Sequence, residues 1–233
     1  MMAILQRAYS DEQKLKRQEG ILLAVERLFR ERRYEKVTML DIAEKSGVSK
    51  GTLYVYFRTK ESLFLSYATR KIDRFFDLLL MNLNTFHEPA GVAGVVEALG
   101  QSYAESKDMV RLLPLLHHVL ESKAGFDNAL SFRQGLIPLL ERAGVEIERH
   151  LVFLDQGAGK RLLLTIHSLS LGLQQLADLS PDLQKMKQHP GMDIYTFEFE
   201  DSFLNTVDLL LAGMEVRAGS RNLKANSQKR RHQ

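Results

Sequence analysis

Apolar residues recur at intervals of three and four positions along almost the whole chain, and this spacing is that of an amphipathic α-helix. Only five prolines and 15 glycines interrupt the 233 residues, and strictly alternating β-branched runs are scarce. The hydrophobic share of 45% is large enough to bury a core. We therefore predict an all-α protein with one large or two modest domains.

Charge is distributed unevenly along this helical chain. Residues 1–60 carry 13 basic and 8 acidic side chains, and residues 217–233 carry six basic side chains and no acidic one. The intervening residues 61–216 hold 13 basic and 21 acidic side chains, a net charge of −8. This asymmetry favours a basic end that binds a polyanion and an acidic body with another task.

Several classes of protein are excluded by what the sequence lacks. There is no cysteine, so disulfides, thiolate nucleophiles, zinc–thiolate sites and iron–sulfur clusters are ruled out. The first residues contain no long apolar stretch, and apolar runs elsewhere are far shorter than the ~20 residues that span a bilayer. We expect a cytoplasmic protein that is neither secreted nor inserted into a membrane.

The periodicity predicts a series of helices. A first long amphipathic helix is predicted over residues 11–33, with Ile21, Val25, Leu28 and Phe29 on its apolar face. Further helices are predicted over 90–106, 108–123, 127–144, 157–179 and 196–213, with a loop over 180–192. We expect Pro114 and Pro138 to kink or restart the helices that contain them.

The clearest local signals lie between residues 38 and 60. Thr38 and Asp41 match a capping box that opens a short helix, and Gly47 suits the left-handed residue that ends it. Ser49 can cap a second helix of about two turns, and Thr59 can cap a longer third one. Two short helices joined by a glycine turn, with another helix before them, describe a helix-turn-helix unit.

The same segment carries the pattern T-x-x-x-I-A-x-x-x-G-V-S-x-G-x-L-Y-x-Y-F-x-x-K-x-x-L. On these residues the chain resembles the DNA-binding domain of the TetR family of one-component transcriptional regulators. The resemblance covers roughly residues 15–68, and many positions agree at fixed spacing. The later helices resemble that family in number, length and order.

Within this unit we expect apolar side chains to face inward and polar ones to face DNA. The predicted inward residues are Ile42, Ala43, Val48, Leu53 and Phe57. The resemblance assigns base contacts to Lys50, Gly51, Thr52 and, in some relatives, Tyr56, and phosphate contacts to Thr38, Tyr54 and Lys60. Cations, hydroxyls and a helix start without side-chain bulk suit base edges and phosphates.

Leu40 departs from the family pattern. Many relatives carry a basic residue at this position, which can reach a base. We expect an apolar contact with a thymine methyl to replace a guanine contact here, so the operator sequence is left open.

The C-terminal body offers surfaces for self-association. Two copies of the chain must associate if two recognition helices are to bind one DNA duplex. The segment 162–173 is apolar nearly all round, and Ser168, Ser170 and Gly172 would allow close helix approach. In the helix over 196–213, a stripe is predicted from Phe199, Phe203, Val207, Leu210 and Leu211. We predict a homodimer through a four-helix interface of the helices near 157–179 and 196–213; a monomer with a large core is the alternative.

The resemblance further implies a pocket for a small-molecule inducer whose identity the sequence does not give. Ligand binding would then move the helix that starts near Lys60 and change the spacing of the two recognition units. Mostly apolar side chains with a few polar groups suit such a site. The candidate lining residues are Phe75, Leu79, Tyr103, Leu113, His117, Phe132, Leu136, His167 and Gln174; each can equally be a plain core residue.

Metal and enzyme chemistry find little support. His117 and Glu121 are one helical turn apart, but His118 points about 100° away, so we predict no metal site and no cofactor. Phosphate-binding glycine motifs, HExxH and G-x-S-x-G are absent. Glu198 and Glu200 fit favourable charges at a helix start better than a catalytic pair.

We thus predict three regions: a helix-turn-helix DNA-binding domain over 1–60, a helical regulatory, ligand-binding and dimerisation domain over 61–216, and a basic disordered tail over 217–233. The expected function is that of a homodimeric repressor that an apolar or amphipathic ligand releases from operator DNA. The alternatives are an activator, a regulator without a ligand, or a helical binding protein without a DNA target.

Overall fold

The computed structural model describes residues 2–178, 181–186, 189–192 and 198–230. Within these ranges the regular structure is helical and contains no strand, so the all-α prediction is confirmed. The α-helices are α1 (Met2–Glu31), α2 (Met39–Ser46), α3 (Lys50–Tyr56), α4 (Lys60–Leu83), α5 (Gly91–Glu105), α6 (Lys107–Leu115), α7 (Phe126–His150), α8 (Ala158–Ala177), α9 (Pro181–Met186) and α10 (Phe199–Arg230). A 3-10 turn, Tyr34–Lys36, lies between α1 and α2.

The chain divides into two compact units. The N-terminal unit comprises Met1–Lys71 and Leu115–Arg133, and the C-terminal unit comprises Ile72–Pro114 and Gln134–Gln233. The division falls inside α4, after Lys71, rather than at residue 60, because the first three turns of α4 belong to the N-terminal core.

The core of the N-terminal unit is aromatic. Phe64 of α4 lies edge-on to Phe29, Tyr34 and Tyr67, with ring centroids 5.7, 4.9 and 6.3 Å away. The predicted apolar face of the first helix is confirmed, since Ile21, Val25, Leu28 and Phe29 are all buried. This core packs α4 against α1, and α2 in turn packs against α1 and α3.

The C-terminal unit is built around a second aromatic cluster. The Tyr103 ring of α5 packs against Phe75 at 4.8 Å and Phe203 at 4.3 Å, and Phe199 stacks on Phe203 at 5.5 Å. The side chains of Phe203, Val207 and Leu211 are therefore buried within a single chain. The prediction that they form a dimer stripe was wrong, because α10 uses this face to pack on α5 and α8.

The two prolines within helices behave differently. After Pro114 the α-helix gives way to a π-helical segment, Leu116–Glu121, as expected where a proline removes a backbone donor. Pro138 lies inside α7, which continues through it to His150, so the predicted restart does not occur there.

Two predicted boundaries also need correction. The helix α10 continues to Arg230, so the prediction of a disordered tail from residue 217 was wrong up to that point; residues 231–233 lie outside the described ranges. A helix that is already packed propagates at little cost through Ala, Lys, Gln and Arg. The predicted loop over 180–192 contains α9, which starts at Pro181, a favourable first helical residue.

Candidate functional site

The turn between α2 and α3 is built by short-range bonds. The Thr38 hydroxyl accepts from the Asp41 N–H at 3.1 Å, and the Thr38 N–H donates to Asp41 Oδ2 at 2.8 Å. Gly47 ends α2 with φ of 69°, a left-handed conformation that favours glycine. The predicted capping box and glycine stop are thus confirmed.

The second short helix, α3, packs against the rest of the protein through one face and exposes the other. Ser49 Oγ accepts from the Thr52 N–H at 3.0 Å and caps the helix, as predicted. Leu53 and Phe57 are buried, whereas Lys50, Gly51 and Tyr54 are exposed and Thr52 and Tyr56 are half-buried. The five residues predicted to contact DNA from α3 therefore share one short helix whose remaining face anchors it.

Gly51 has an open surrounding. A β-carbon built there would meet only Ser49 Oγ, at 3.9 Å, and its φ does not lie in the left-handed region. Folding of this chain therefore does not require glycine at position 51. Glycine inside a helix also lowers the free energy of unfolding by up to about 1 kcal/mol relative to alanine. The presence of glycine at this position is explained if another molecule approaches the helix backbone closely there.

The other two predicted contacts, Thr38 and Lys60, have partners within the protein. The single proton of the Thr38 hydroxyl is donated to Asp41 Oδ2 at 2.7 Å. The Lys60 ammonium donates to the Tyr34 carbonyl at 2.5 Å and lies 3.8 Å from the Tyr34 ring centroid. Partial burial lowers the pKa of Lys60. Both residues thus have structural roles at helix starts, and their phosphate contacts stay predictions.

One exposed residue of α3 was missed from the sequence. Val55 is 81% exposed, the largest value among the large apolar side chains whose exposure the structure describes. At about 100° per residue it lies about 200° from both Leu53 and Phe57, on the side opposite the buried face. The helical period of the sequence was therefore enough to predict that Val55 lies on the exposed face of α3.

The C-terminal unit contains a cavity of about 540 Å³. Its described lining combines apolar and charged side chains from α5, α6, α8 and the start of α10: Tyr103, Lys107, Val110, Arg111, Gln174, Glu198, Phe199, Glu200 and Asp201. The aromatic side chains of this lining can contact an apolar group of a ligand, and its charged side chains can bind polar groups.

Tyr103 and Gln174 are the predicted ligand residues found in this lining. Phe75, Leu79 and Leu113 are buried in the core of the same unit, and Leu136 and His167 are half-buried. Phe132 and His117 belong to the N-terminal unit. Burial raises the pKa of Tyr103 to about 12, so its hydroxyl is a neutral hydrogen-bonding group at physiological pH.

The histidine considered for metal binding is engaged otherwise. His117 Nδ1 lies 3.4 Å from Glu121 Oε1, and Arg133 pairs with Glu121 Oε2 at 2.6 Å. Within the described residues no group of three or more metal-ligating side chains comes together. Glu200 and Asp201 lie in the first turn of α10, where negative charge is favourable.

A short capped helix, a glycine turn and a second short helix with an exposed polar face define a helix-turn-helix protein. Comparison with known proteins agrees. Residues 21–67 match the family described as bacterial regulatory proteins, tetR family, and residues 69–218 match the tetracyclin repressor-like C-terminal domain. The chain belongs to the TetR family of transcriptional regulators.

Individual relatives are distant. An uncharacterized HTH-type transcriptional regulator of Bacillus subtilis, YfiR, is 39% identical over 70 residues, which span 27% of this chain and 34% of that relative. The fatty acid degradation regulator FadR from Bacillus halodurans superposes with a TM-score of 0.52 at 19% identity, covering 84% of this chain and 97% of that one.

The TetR family repressor AlkX from Dietzia sp., implicated in biodegradation of n-alkanes, superposes with a TM-score of 0.51 at 17% identity and the same coverage, 84% and 97%. These superpositions support the fold. In the described part of the chain, none of the helices has both the length and the apolar content needed to cross a lipid bilayer.

Proposed function

We propose that this regulator is a cytoplasmic, homodimeric repressor that binds an inverted-repeat operator and is released from it by an amphipathic small molecule, and that it has no catalytic activity. The observation that carries the proposal is the outer face of α3, where exposed Lys50, Gly51 and Tyr54 form a surface that the fold does not use. The cation and the phenol can bind phosphates or base edges.

Gly51 supports close contact with DNA. The space beside its α-carbon is open to the outside, so the backbone of the first turn of α3 can approach a groove. The first turn of a recognition helix is also the part that contacts base edges in this class of protein. A larger side chain at this position would hold the helix away from the bases.

Dimerisation is supported by a stripe on α8 that the chain leaves exposed. Leu164, Ser168, Gly172 and Leu176 recur every four residues and are all exposed, the two leucines by 50% and 53%. On the neighbouring α10, Leu209 is 73% exposed. Small residues between two leucines allow the close approach of a second α8, and the apolar area gained would favour association.

The cavity of about 540 Å³ supports a small-molecule ligand. The lining combines the apolar side chains of Tyr103, Val110 and Phe199 with charged groups, which are the cations of Lys107 and Arg111 and the carboxylates at the start of α10. Such a lining fits a compound with an apolar body and a polar end.

The ligand class is tested by measuring the thermal unfolding midpoint of the protein in the presence of alkyl carboxylates and alkylamines of graded length. A compound that binds the folded protein raises this midpoint.

DNA binding is tested with the full-length protein and a pool of random duplexes at near-physiological salt. We expect enrichment of an inverted repeat whose half-site centres lie about 10 base pairs, or a multiple, apart. Lys50→Ala should weaken binding of the selected duplex by about tenfold. Lys45→Ala is the matched control, because Lys45 is an exposed lysine of α2 that lies 3.8 Å from Glu31.

Gly51→Ala separates binding from folding. The substitution should leave the unfolding midpoint unchanged or slightly raised, because the added methyl group meets only Ser49 Oγ. Affinity for the selected duplex should fall at least tenfold if α3 lies in the groove. Gly135→Ala, at another helical glycine with nothing within 4 Å, is the control. Failure to enrich any sequence, or equal effects of the paired variants, would contradict the proposed function.

A further inference from the structure

Val55 differs chemically from the other exposed residues of α3. Its side chain is 81% exposed and contains no hydrogen-bond donor or acceptor, whereas its neighbours Tyr54 and Tyr56 carry hydroxyl groups. A β-branched side chain in a helix occupies mainly one χ1 rotamer, so its two methyl groups are held in a fixed direction. Val55 therefore presents a small, rigid apolar surface.

Val55 and Gly51 form a continuous strip. They are four residues apart on α3, so they lie one above the other on the same side of the helix. No side chain covers this strip at position 51, and an added β-carbon there would have only Ser49 Oγ within 4 Å. The strip is consequently shallow, and a partner can approach the helix backbone closely at one end and meet the valine methyl groups at the other.

The basic surroundings favour DNA as the partner. Residues 1–60 carry 13 basic and 8 acidic side chains, and Lys50 stands at the start of the same helix. The phosphate groups of DNA offer Val55 no apolar surface. In the major groove the one apolar group on a base edge is the C5-methyl of thymine.

We propose that Val55 is a specificity-determining residue that contacts a thymine methyl in each operator half-site. The assignment rests on the proposed function, because it needs α3 in the major groove. An A·T pair is then selected at that position by shape and burial of apolar surface, without a hydrogen bond. Leu40 of α2, 53% exposed, can make the same kind of contact with a different thymine.

The test uses the full-length protein and the duplex selected from the random pool. Each thymine in the half-sites is replaced in turn by deoxyuridine, which removes the methyl group and keeps the base-pairing groups. At one position the wild-type protein should lose about fourfold in affinity per half-site, since burial of a methyl-sized group contributes roughly 0.8 kcal/mol. Val55→Ala should lose less than about twofold at that position and retain wild-type sensitivity elsewhere.

Two controls make the result specific. Val55→Thr keeps the shape of the side chain and replaces one methyl group by a hydroxyl, so it should be intermediate between wild type and Val55→Ala. A C·G pair at the sensitive position should bind weakly, and 5-methylcytosine there should restore about fourfold. Because Val55 is exposed, its variants should keep the wild-type unfolding midpoint.

The outcomes distinguish the two levels of inference. If a sequence is enriched but wild type and Val55→Ala respond alike to every deoxyuridine, the assignment of Val55 is overturned and the proposed function stands. If Leu40→Ala alone abolishes the sensitivity, Leu40 reads that thymine and the assignment of Val55 is again overturned. If no sequence is enriched, the proposed function fails and the assignment fails with it.

Discussion

The α2–α3 turn and the α7–α8 pair are held together in different ways. The short helices α2 and α3 have 8 and 7 residues, and each has a side-chain cap within its own segment. The helices α7 and α8 have 25 and 20 residues, and they meet where Gly144 and Gly159 bring their backbones together. Short helices here are specified by neighbours in sequence, whereas the long pair is specified by a contact between distant residues.

The largest expected effect lies in the α7–α8 pair. In Gly159→Ala the new β-carbon would overlap the Gly144 carbonyl oxygen, so the helices must separate. The Gly159 N–H, which donates to Glu148 Oε1 at 2.8 Å, would move with them. We expect a loss of about 3 kcal/mol in the free energy of unfolding, measured by urea denaturation at fixed protein concentration.

Gly135→Ala in α7 is the control for this substitution. Nothing lies within 4 Å of the built β-carbon at position 135, so alanine should be neutral or stabilise the helix by up to about 1 kcal/mol. Equal losses in the two variants would show that backbone contact does not hold α7 to α8, and the contrast with the α2–α3 turn would disappear.

A smaller effect is expected at the cap of α2. Thr38→Ala removes the hydroxyl that accepts from the Asp41 N–H, and should cost about 1 kcal/mol of unfolding free energy. Thr38→Ser keeps the hydroxyl and should retain most of the stability. A loss as large as that of Gly159→Ala would mean that the turn depends on more than its local bonds.

The smallest effect is a pH dependence at the same cap. Hydrogen bonds from the Thr38 side chain and backbone, assisted by Arg32, hold the pKa of Asp41 below its ordinary value. Because the folded-state pKa is the lower one, the stabilising contribution is present above about pH 4 and is lost as the pH falls through the folded-state value.

Thermal unfolding of wild type and Asp41→Asn checks this dependence. The difference between the two midpoints should be constant from pH 7 to pH 5 and should shrink below about pH 4, where the protonated acid resembles the amide. A difference that persists unchanged at pH 3 would show that the charge of Asp41 does not contribute to the cap.

The same contrast explains which features could be predicted from the sequence. Thr38, Asp41, Gly47 and Ser49 could be assigned because each acts within three or four residues of itself. The face that α10 buries could not be assigned. Phe203 and Val207 have the helical spacing of either a core or an interface, and only the packing of α10 on α5 and α8 decides between them.

Within the candidate site, the sequence could not predict which groups the functional side chains bond to. The sequence placed Thr38 and Lys60 at helix starts but did not show that the Thr38 proton is donated to Asp41 or that Lys60 contacts the Tyr34 carbonyl. The cavity lining from the start of α10 was likewise missed, since Glu198 and Phe199 are far in sequence from Tyr103. Long-range proximity leaves no periodic signal in a single sequence.

The contact between Gly144 and Gly159 also restricts how this sequence can change over generations. In an ordinary core pair, growth of one side chain can be offset by shrinkage of the other. Glycine has no side-chain heavy atom and cannot be replaced by a smaller residue. No substitution at one of the two positions can therefore compensate for a larger residue at the other. This region can therefore diverge in charge and length around the two positions, but both must stay glycine as long as the helices keep this separation.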